Sequence, residues 1–145
     1  EITETALVTD AATVGSRLAE LRAMGVRIAL DDFGTGYSSL SWLRTFPVDV
    51  LKIDRSFVQL LGGSGQDAAI VSGLVQLAHS LDLEVVAEGV ELAEQRDRLR
   101  AERCDLAQGY LLARPMPASD VWGWVGRVRE AGGDPCALAL SGSLR

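Results

Sequence analysis

Residues 26 to 40 read VRIALDDFGTGYSSL, an apolar run with β-branched members that ends directly in two aspartates and a glycine-rich loop. The run predicts a strand over VRIAL, residues 26 to 30, with Asp31 and Asp32 just beyond its end. Two adjacent carboxylates followed by Gly34 and Gly36 are poor packing material. They suit a place where the backbone bends closely around a metal. The same grammar recurs along the chain: EIT is flanked by Glu1 and Glu4, VDVLKI leads to Asp54, and LEVVAEGV carries Glu88 and Glu91.

Between these runs the apolar spacing is helical. Thr9 to Met24 predicts a helix with Val14, Leu18 and Leu21 on one face, Asp10 in its cap region and Gly25 as its stop. Ser38 or Ser39 suits the cap of a short helix through Leu43, closed by Pro47. QLLGGSGQD, residues 59 to 67, reads as a mobile connector, and the helix after it presents Ile70, Leu74, Leu77 and Leu81. A polar helix over 92 to 103 precedes GYLLARPMP. A terminal helix, Ser119 to Glu130, turns Val121, Val125 and Val128 inward, with Trp122 or Trp124 covering a neighbour. Residues 131–145 read as a flexible tail, which leaves 1–130 as the folded portion. Alternating strands and helices predict parallel βαβ units and an α/β fold, in which the strand ends converge on one face.

Composition narrows what the converging carboxylates do. A chain of 145 residues with 48% hydrophobic content can bury a core. No apolar stretch approaches the roughly 20 residues of a membrane span. The N-terminal residues lack the basic flank and apolar run of a signal peptide, so a soluble cytoplasmic protein is expected. A net charge of −6 and a pI near 4.7 argue against DNA or another polyanion as partner. A small anion remains compatible if a metal cancels the charge.

The chain has one histidine, His79, and one lysine, Lys52. His79 falls in a helical pattern and reads as a helix-surface or helix-end residue, which disfavours histidine triads and histidine-rich zinc sites. Cys104 and Cys136 stand too far apart for a metal-type spacing and read as buried or idle thiols. Clustered carboxylates repel one another unless positive charge sits among them. Oxygen donors without imidazole or thiolate point to a hard cation, magnesium or manganese. Any one of these acids alone reads as a cap or solvated loop residue; the set at successive strand ends reads as a site. Lys52, between Leu51 and Ile53, is costly to bury unpaired. It reads either as a snorkelling edge lysine or as a partner of the aspartates one strand away, positioning a water or a phosphate oxygen. Gln108 is a weaker candidate that also suits backbone pairing.

Five spaced motifs then carry a family resemblance: EITE at Glu1, DDFGTGYSSL at Asp31, LKIDRSFV at Leu51, VVAEGVE at Val85 and QGYLLARPMP at Gln108. From Glu1 to about Val128 the chain resembles the EAL-domain phosphodiesterases of bacterial cyclic di-GMP signalling. The resemblance implies a modified TIM (β/α)8-type barrel, present here as its C-terminal part. It implies hydrolysis of cyclic di-GMP to a linear dinucleotide with two magnesium or manganese ions. Glu1, Asp31 and Asp32 would be metal ligands, with Asp31 shared between the ions and Asp32 on the second. Lys52 would hold the attacking water, Glu88 would act as general base or orient that water, and Gln108 would support the site. Glu4 would brace the loop after Asp32, through which a homodimer would form, and Asp54 and Glu91 would support the ligands from behind. The resemblance further implies GGDEF or sensory domains elsewhere in the parent protein. It places a Glu-Ala-Leu motif and a metal-binding asparagine upstream of Glu1, so residues 1–145 alone are expected to show no appreciable hydrolysis. A non-catalytic cyclic di-GMP receptor and a dimerisation or scaffold remnant are the alternatives. Asp31, Asp32, Lys52 and Glu88 together favour the enzyme.

Overall fold

The computed structural model describes residues 1–3, 11–34, 40–62 and 65–130. In chain order the elements are β1 (Ile2–Thr3), α1 (Ala11–Ala23), β2 (Ala29–Phe33), α2 (Leu40–Thr45), β3 (Val50–Ile53) and α3 (Arg55–Gln59). A 3-10 turn over Leu60–Gly62 follows, then α4 (Gly65–Ser80), β4 (Glu84–Ala87), α5 (Ala93–Ala101), β5 (Leu106–Ala107) and α6 (Ala118–Glu130). Among the described residues five strands form one parallel sheet in the order β1-β2-β3-β4-β5. Every crossover therefore steps in the same direction, and right-handed crossovers of that kind put the helices on one face. A sheet wound this way is a piece of barrel wall, because a doubly wound sheet reverses its strand order.

Alternation along the strands divides the two faces. Leu30, Leu51, Ile53, Val85 and Ala87 point into the helix layer, where Val58, Leu61, Val71, Val75, Ala78 and Leu99 meet them, all nearly or wholly inaccessible. β3 is buried at all four positions because β2 and β4 flank it. Around the starts of the strands, carboxylates have local partners. Asp49 accepts from Ile28 N at 2.9 Å and pairs with Arg22 at 3.0 Å, and Glu84 pairs with Arg27 at 2.8 Å. Asp105 accepts from Val85 N at 2.9 Å and meets His79 Nε2, at the end of α4, at 2.9 Å. Those acids secure the fold, which is the usual role of that end of a barrel.

Several expectations shift. The strand expected over 26 to 30 begins at Ala29 and runs through Asp31, Asp32 and Phe33, and Phe33 is 3% exposed core. Parts of the supposed connector have regular structure: Leu61 sits in the 3-10 turn at 1% exposure, and α4 starts at Gly65. The buried stripe of α4 is Val71, Val75 and Ala78, with Leu74, Leu77 and Leu81 half-covered, whereas Ile70 is exposed. In α1, Leu18 is buried and Leu21 exposed. In α6, Val121 is exposed, Trp122 faces solvent and no residue is fully buried, because this helix lies at the periphery after the last strand. Trp124 is half-buried and lines a cavity with Tyr110 and Met116. Asp10, Ser38, Ser39, Cys136 and residues 131–145 lie outside the described residues. No helix of the described residues is long and apolar enough to cross a membrane.

Candidate functional site

The site is built around an irregularity in the pairing of β2 with β3. Leu30 pairs with Leu51 and Phe33 with Ile53, so Asp31 and Asp32 together oppose the single Lys52. One extra residue makes this a β-bulge, a device that re-aims side chains. Asp32 takes the left-handed conformation, φ 56°, which short polar side chains tolerate better than branched ones. Its backbone N–H donates to Asp31 Oδ1 at 3.1 Å.

Lys52 stands opposite that bulge with only 7% of its side chain exposed. Its Nζ lies 2.6 Å from Glu88 Oε1, 3.0 Å from Asp31 Oδ1 and 3.1 Å from Glu1 Oε1. An ammonium has three protons to donate, and three carboxylates receive them. Burial by itself pushes the lysine pKa down. The hydrogen bonds to Glu88, then Asp31, then Glu1 outweigh it and hold the pKa above the ordinary lysine value. Lys52 is thus the positive charge among the acids rather than a snorkelling edge residue.

Carboxylate oxygens of Asp31, Asp32 and Glu88 all lie within 4.8 Å of one another. Asp31 and Glu88 keep about a fifth of their side chains exposed, while Asp32 is open to solvent. Glu1 stands outside this trio, 60% exposed, and reaches the site through Lys52. One ammonium facing four carboxylates leaves the cluster net negative. The donors are all oxygen, since Cys104 is buried elsewhere and His79 is engaged with Asp105. That donor set fits a hard divalent cation and does not fit a thiophilic metal.

Backbone pairing fixes the remaining residues. Glu88 N donates to Ile53 O at 3.0 Å, Gln108 N to Ala87 O at 2.8 Å, and Val90 N to Gln108 O at 3.0 Å. Gln108 and Glu91 therefore share with Glu88 the wall of a cavity of about 210 Å³. A second cavity of about 430 Å³ adjoins Gln108 and is lined by Tyr110, Met116 and Trp124 among others. Arg114 sits over the Tyr110 ring at 4.7 Å. Asp54 is engaged as the cap of α3, accepting from Ser56 N at 2.9 Å and Ser56 Oγ at 2.5 Å. Glu4 and residues 35–39 of the loop after Asp32 lie outside the described residues.

Cys104 is fully buried, its Sγ 3.3 Å from Leu106 O. Burial first, and the Asp105 charge second, push its thiol up to about 12, so it stays protonated and unreactive. Arg55 and Tyr110, which are not among the candidate residues named from the sequence, also line the smaller cavity. Arg55 directly follows Asp54 and Tyr110 stands two residues past Gln108, which is the signal the sequence offers.

The description "EAL domain" belongs to the family model that matches residues 1–115. The chain is 50% identical over 117 residues to the cyclic di-GMP phosphodiesterase RocR of Pseudomonas aeruginosa, which covers 81% of this chain and 30% of RocR. Among solved structures, the EAL domain of Mycobacterium smegmatis DcpA superposes with a TM-score of 0.81 at 44% identity, covering 87% of this chain and 56% of that one. A manganese and cyclic di-GMP complex of Klebsiella pneumoniae BlrP1 gives 0.73 at 41% identity, covering 78% and 29%. The chain spans between 14% and 30% of the length of the curated relatives it matches. These neighbours agree with the barrel-type α/β fold inferred from strand order.

Proposed function

This chain belongs to the EAL domain family, and from that premise we propose that the protein carrying it hydrolyses cyclic di-GMP to the linear dinucleotide. The observation that carries the proposal is the Lys52 ammonium donating to Glu1, Asp31 and Glu88 beside the Asp31–Asp32–Glu88 trio. A pure binding module has no evident need for a buried lysine wired to three acids. RocR's name as a cyclic di-GMP phosphodiesterase and the manganese complex of BlrP1 support both the substrate and the metal class.

In this reading Asp31, Asp32 and Glu1 would hold divalent cations. Such cations supply Lewis-acid polarisation of the phosphodiester and ease the ionisation of water. Lys52 donates to the attacking water and orients it. Glu88, 2.6 Å from Lys52 Nζ, accepts the proton of that water or fixes its direction. Gln108 supports the substrate side of the cleft it shares with Glu88, and Glu91 lines the same wall. Asp54 acts from behind, through the helix it caps, and Glu4 braces the loop after Asp32. A homodimer through that loop and a coupled GGDEF or sensory domain belong to the same reading. MucR, which is 49% identical over 121 residues, is named a bifunctional diguanylate cyclase and phosphodiesterase.

The test is product analysis with the full-length protein and cyclic di-GMP in magnesium, manganese or calcium. Linear dinucleotide formed with magnesium or manganese is expected. Binding without turnover in every metal would make the protein a receptor and overturn the proposal.

A further inference from the structure

The Asp pair and Lys52 sit on two neighbouring strands and Glu88 directly follows a third, so something must hold those strand ends at matching heights. Two glycines show what does. Gly34, just past the Asp pair, has φ 98°, and a methyl group on it would fall 2.6 Å from Phe57 Cε2 and 2.7 Å from Phe57 Cζ. Gly89, directly after Glu88, has φ 67°, and a methyl group there would fall 2.4 Å from Arg55 Cβ and 3.3 Å from Arg55 Cα. Both backbones therefore lie bare against the same short helix, α3. That helix begins two residues after Lys52 with its Asp54 cap, and Val58, at 0% exposure, anchors it in the core. One helix thus touches the chain immediately beyond each site-bearing strand, β2 through Phe57, β3 by continuity and β4 through Arg55.

We propose that α3 is a positioning element of the site and that Phe57 is its positioning residue, its ring setting the height of Asp31 and Asp32 relative to Lys52 and Glu88. The catalytic consequence rests on the proposed function, whereas the positioning itself does not. Phe57 touches neither substrate nor metal in this account. It acts through the Gly34 backbone, as a supporting partner does for a metal ligand.

The experiment compares Phe57→Ala with Val58→Ala in the full-length protein, since Val58 lies on the same helix, is buried in the core, and supplies none of the atoms nearest to a methyl group on Gly34 or Gly89. Phe57→Leu, which loses the ring atoms lying against Gly34 but keeps an apolar side chain, stands in if Phe57→Ala fails to fold. The readouts are Tm, calorimetric Mn2+ affinity, and amide hydrogen exchange over 29–34 in metal-free protein. Both variants should lower Tm. The Phe57 variants should weaken Mn2+ binding by about tenfold or more and accelerate exchange at 32–34, while Val58→Ala leaves both unchanged. Equal effects of the two positions on affinity and exchange, or a Phe57 variant with wild-type affinity and exchange, would overturn the proposal. If the wild-type protein itself binds no Mn2+, the proposed function falls and the exchange comparison alone decides the positioning role.

Discussion

Replacing Lys52 with methionine keeps an unbranched apolar side chain one atom shorter and removes the ammonium that three carboxylates share. Glu88 and Asp31, each with about a fifth of the side chain exposed, then face each other without a counter-charge. Removing one partner of a buried ion pair costs about 3–5 kcal/mol. The Glu1 arm, 60% exposed, contributes no more than about 1 kcal/mol. Water reaching the other two acids reduces their share, so the expected loss in cation-free protein at neutral pH is about 2–4 kcal/mol. The same substitution makes the carboxylate trio's surroundings more negative, so Mn2+ should bind the variant more tightly. A ligand specific to the folded state stabilises each protein according to its own Kd, so at saturating Mn2+ the deficit against wild type narrows by about 1.4 kcal/mol for each tenfold by which the variant binds more tightly. Paired denaturant titrations with and without Mn2+ read both quantities. Because the folded pKa of Lys52 is raised, its contribution is fully present below the unfolded lysine value and is lost only as pH rises through the folded one. The gap between wild type and variant should therefore stay flat from pH 7 to about 10. A variant within about 0.5 kcal/mol of wild type, or one whose deficit is the same with and without Mn2+, would refute the reasoning.

Asp54→Ala removes the α3 cap and should cost about 1 kcal/mol, with Asp54→Ser retaining most of it. Burial acts to raise the Asp54 pKa, but hydrogen bonds from Ser56 prevail and lower it. The cap's contribution is therefore present above the unfolded carboxylate value and fades as pH falls through the folded one, so the Asp54→Ala deficit should be smaller at pH 3 than at pH 6. Cys104 should resist iodoacetamide at pH 8 in native protein and react after denaturation, as read by peptide mapping; rapid native labelling would contradict its burial. A methyl group on Gly109 would fall 2.2 Å from Val90 O and 2.3 Å from Val90 N. Gly109→Ala should accordingly cost about 3 kcal/mol. Gly126→Ala meets nothing within 4 Å in α6 and should leave stability unchanged or raised by up to about 1 kcal/mol; unfolding curves of the two variants check the contrast.

Strand and helix alternation made the α/β class legible, because apolar runs ending in acids announce strands that open onto a common face. Lys52 was legible for the same reason: a lysine inside an apolar strand demands a partner, and the acids on adjoining strands supplied candidates. The bulge was not. Nothing in ALDDF says that two residues will oppose one, because register depends on what β3 presents across the ladder. The sequence therefore placed the Asp pair after the strand, when it forms the strand's last turn outward. The inward face of α4 was offset by one residue for a related reason: Ile70 and Val71 are equally apolar, and only the direction of approach to β3 and β4 decides which is covered. Asp54 resembled a site acid by position, yet Ser56 two residues on marks it as a cap, a signal present in the sequence. The contacts of Gly34 and Gly89 with α3 join segments 20 or more residues apart and leave no local trace.

The most direct measurement is cyclic di-GMP hydrolysis by the full-length protein with Asp31→Asn beside wild type, in magnesium and in manganese, together with the Tm of each. If Asp31 is a metal ligand as proposed, its carboxylate serves the site and contributes little packing, so an unchanged fold, weakened metal binding and loss of turnover are expected. Near-normal hydrolysis by Asp31→Asn would contradict that role.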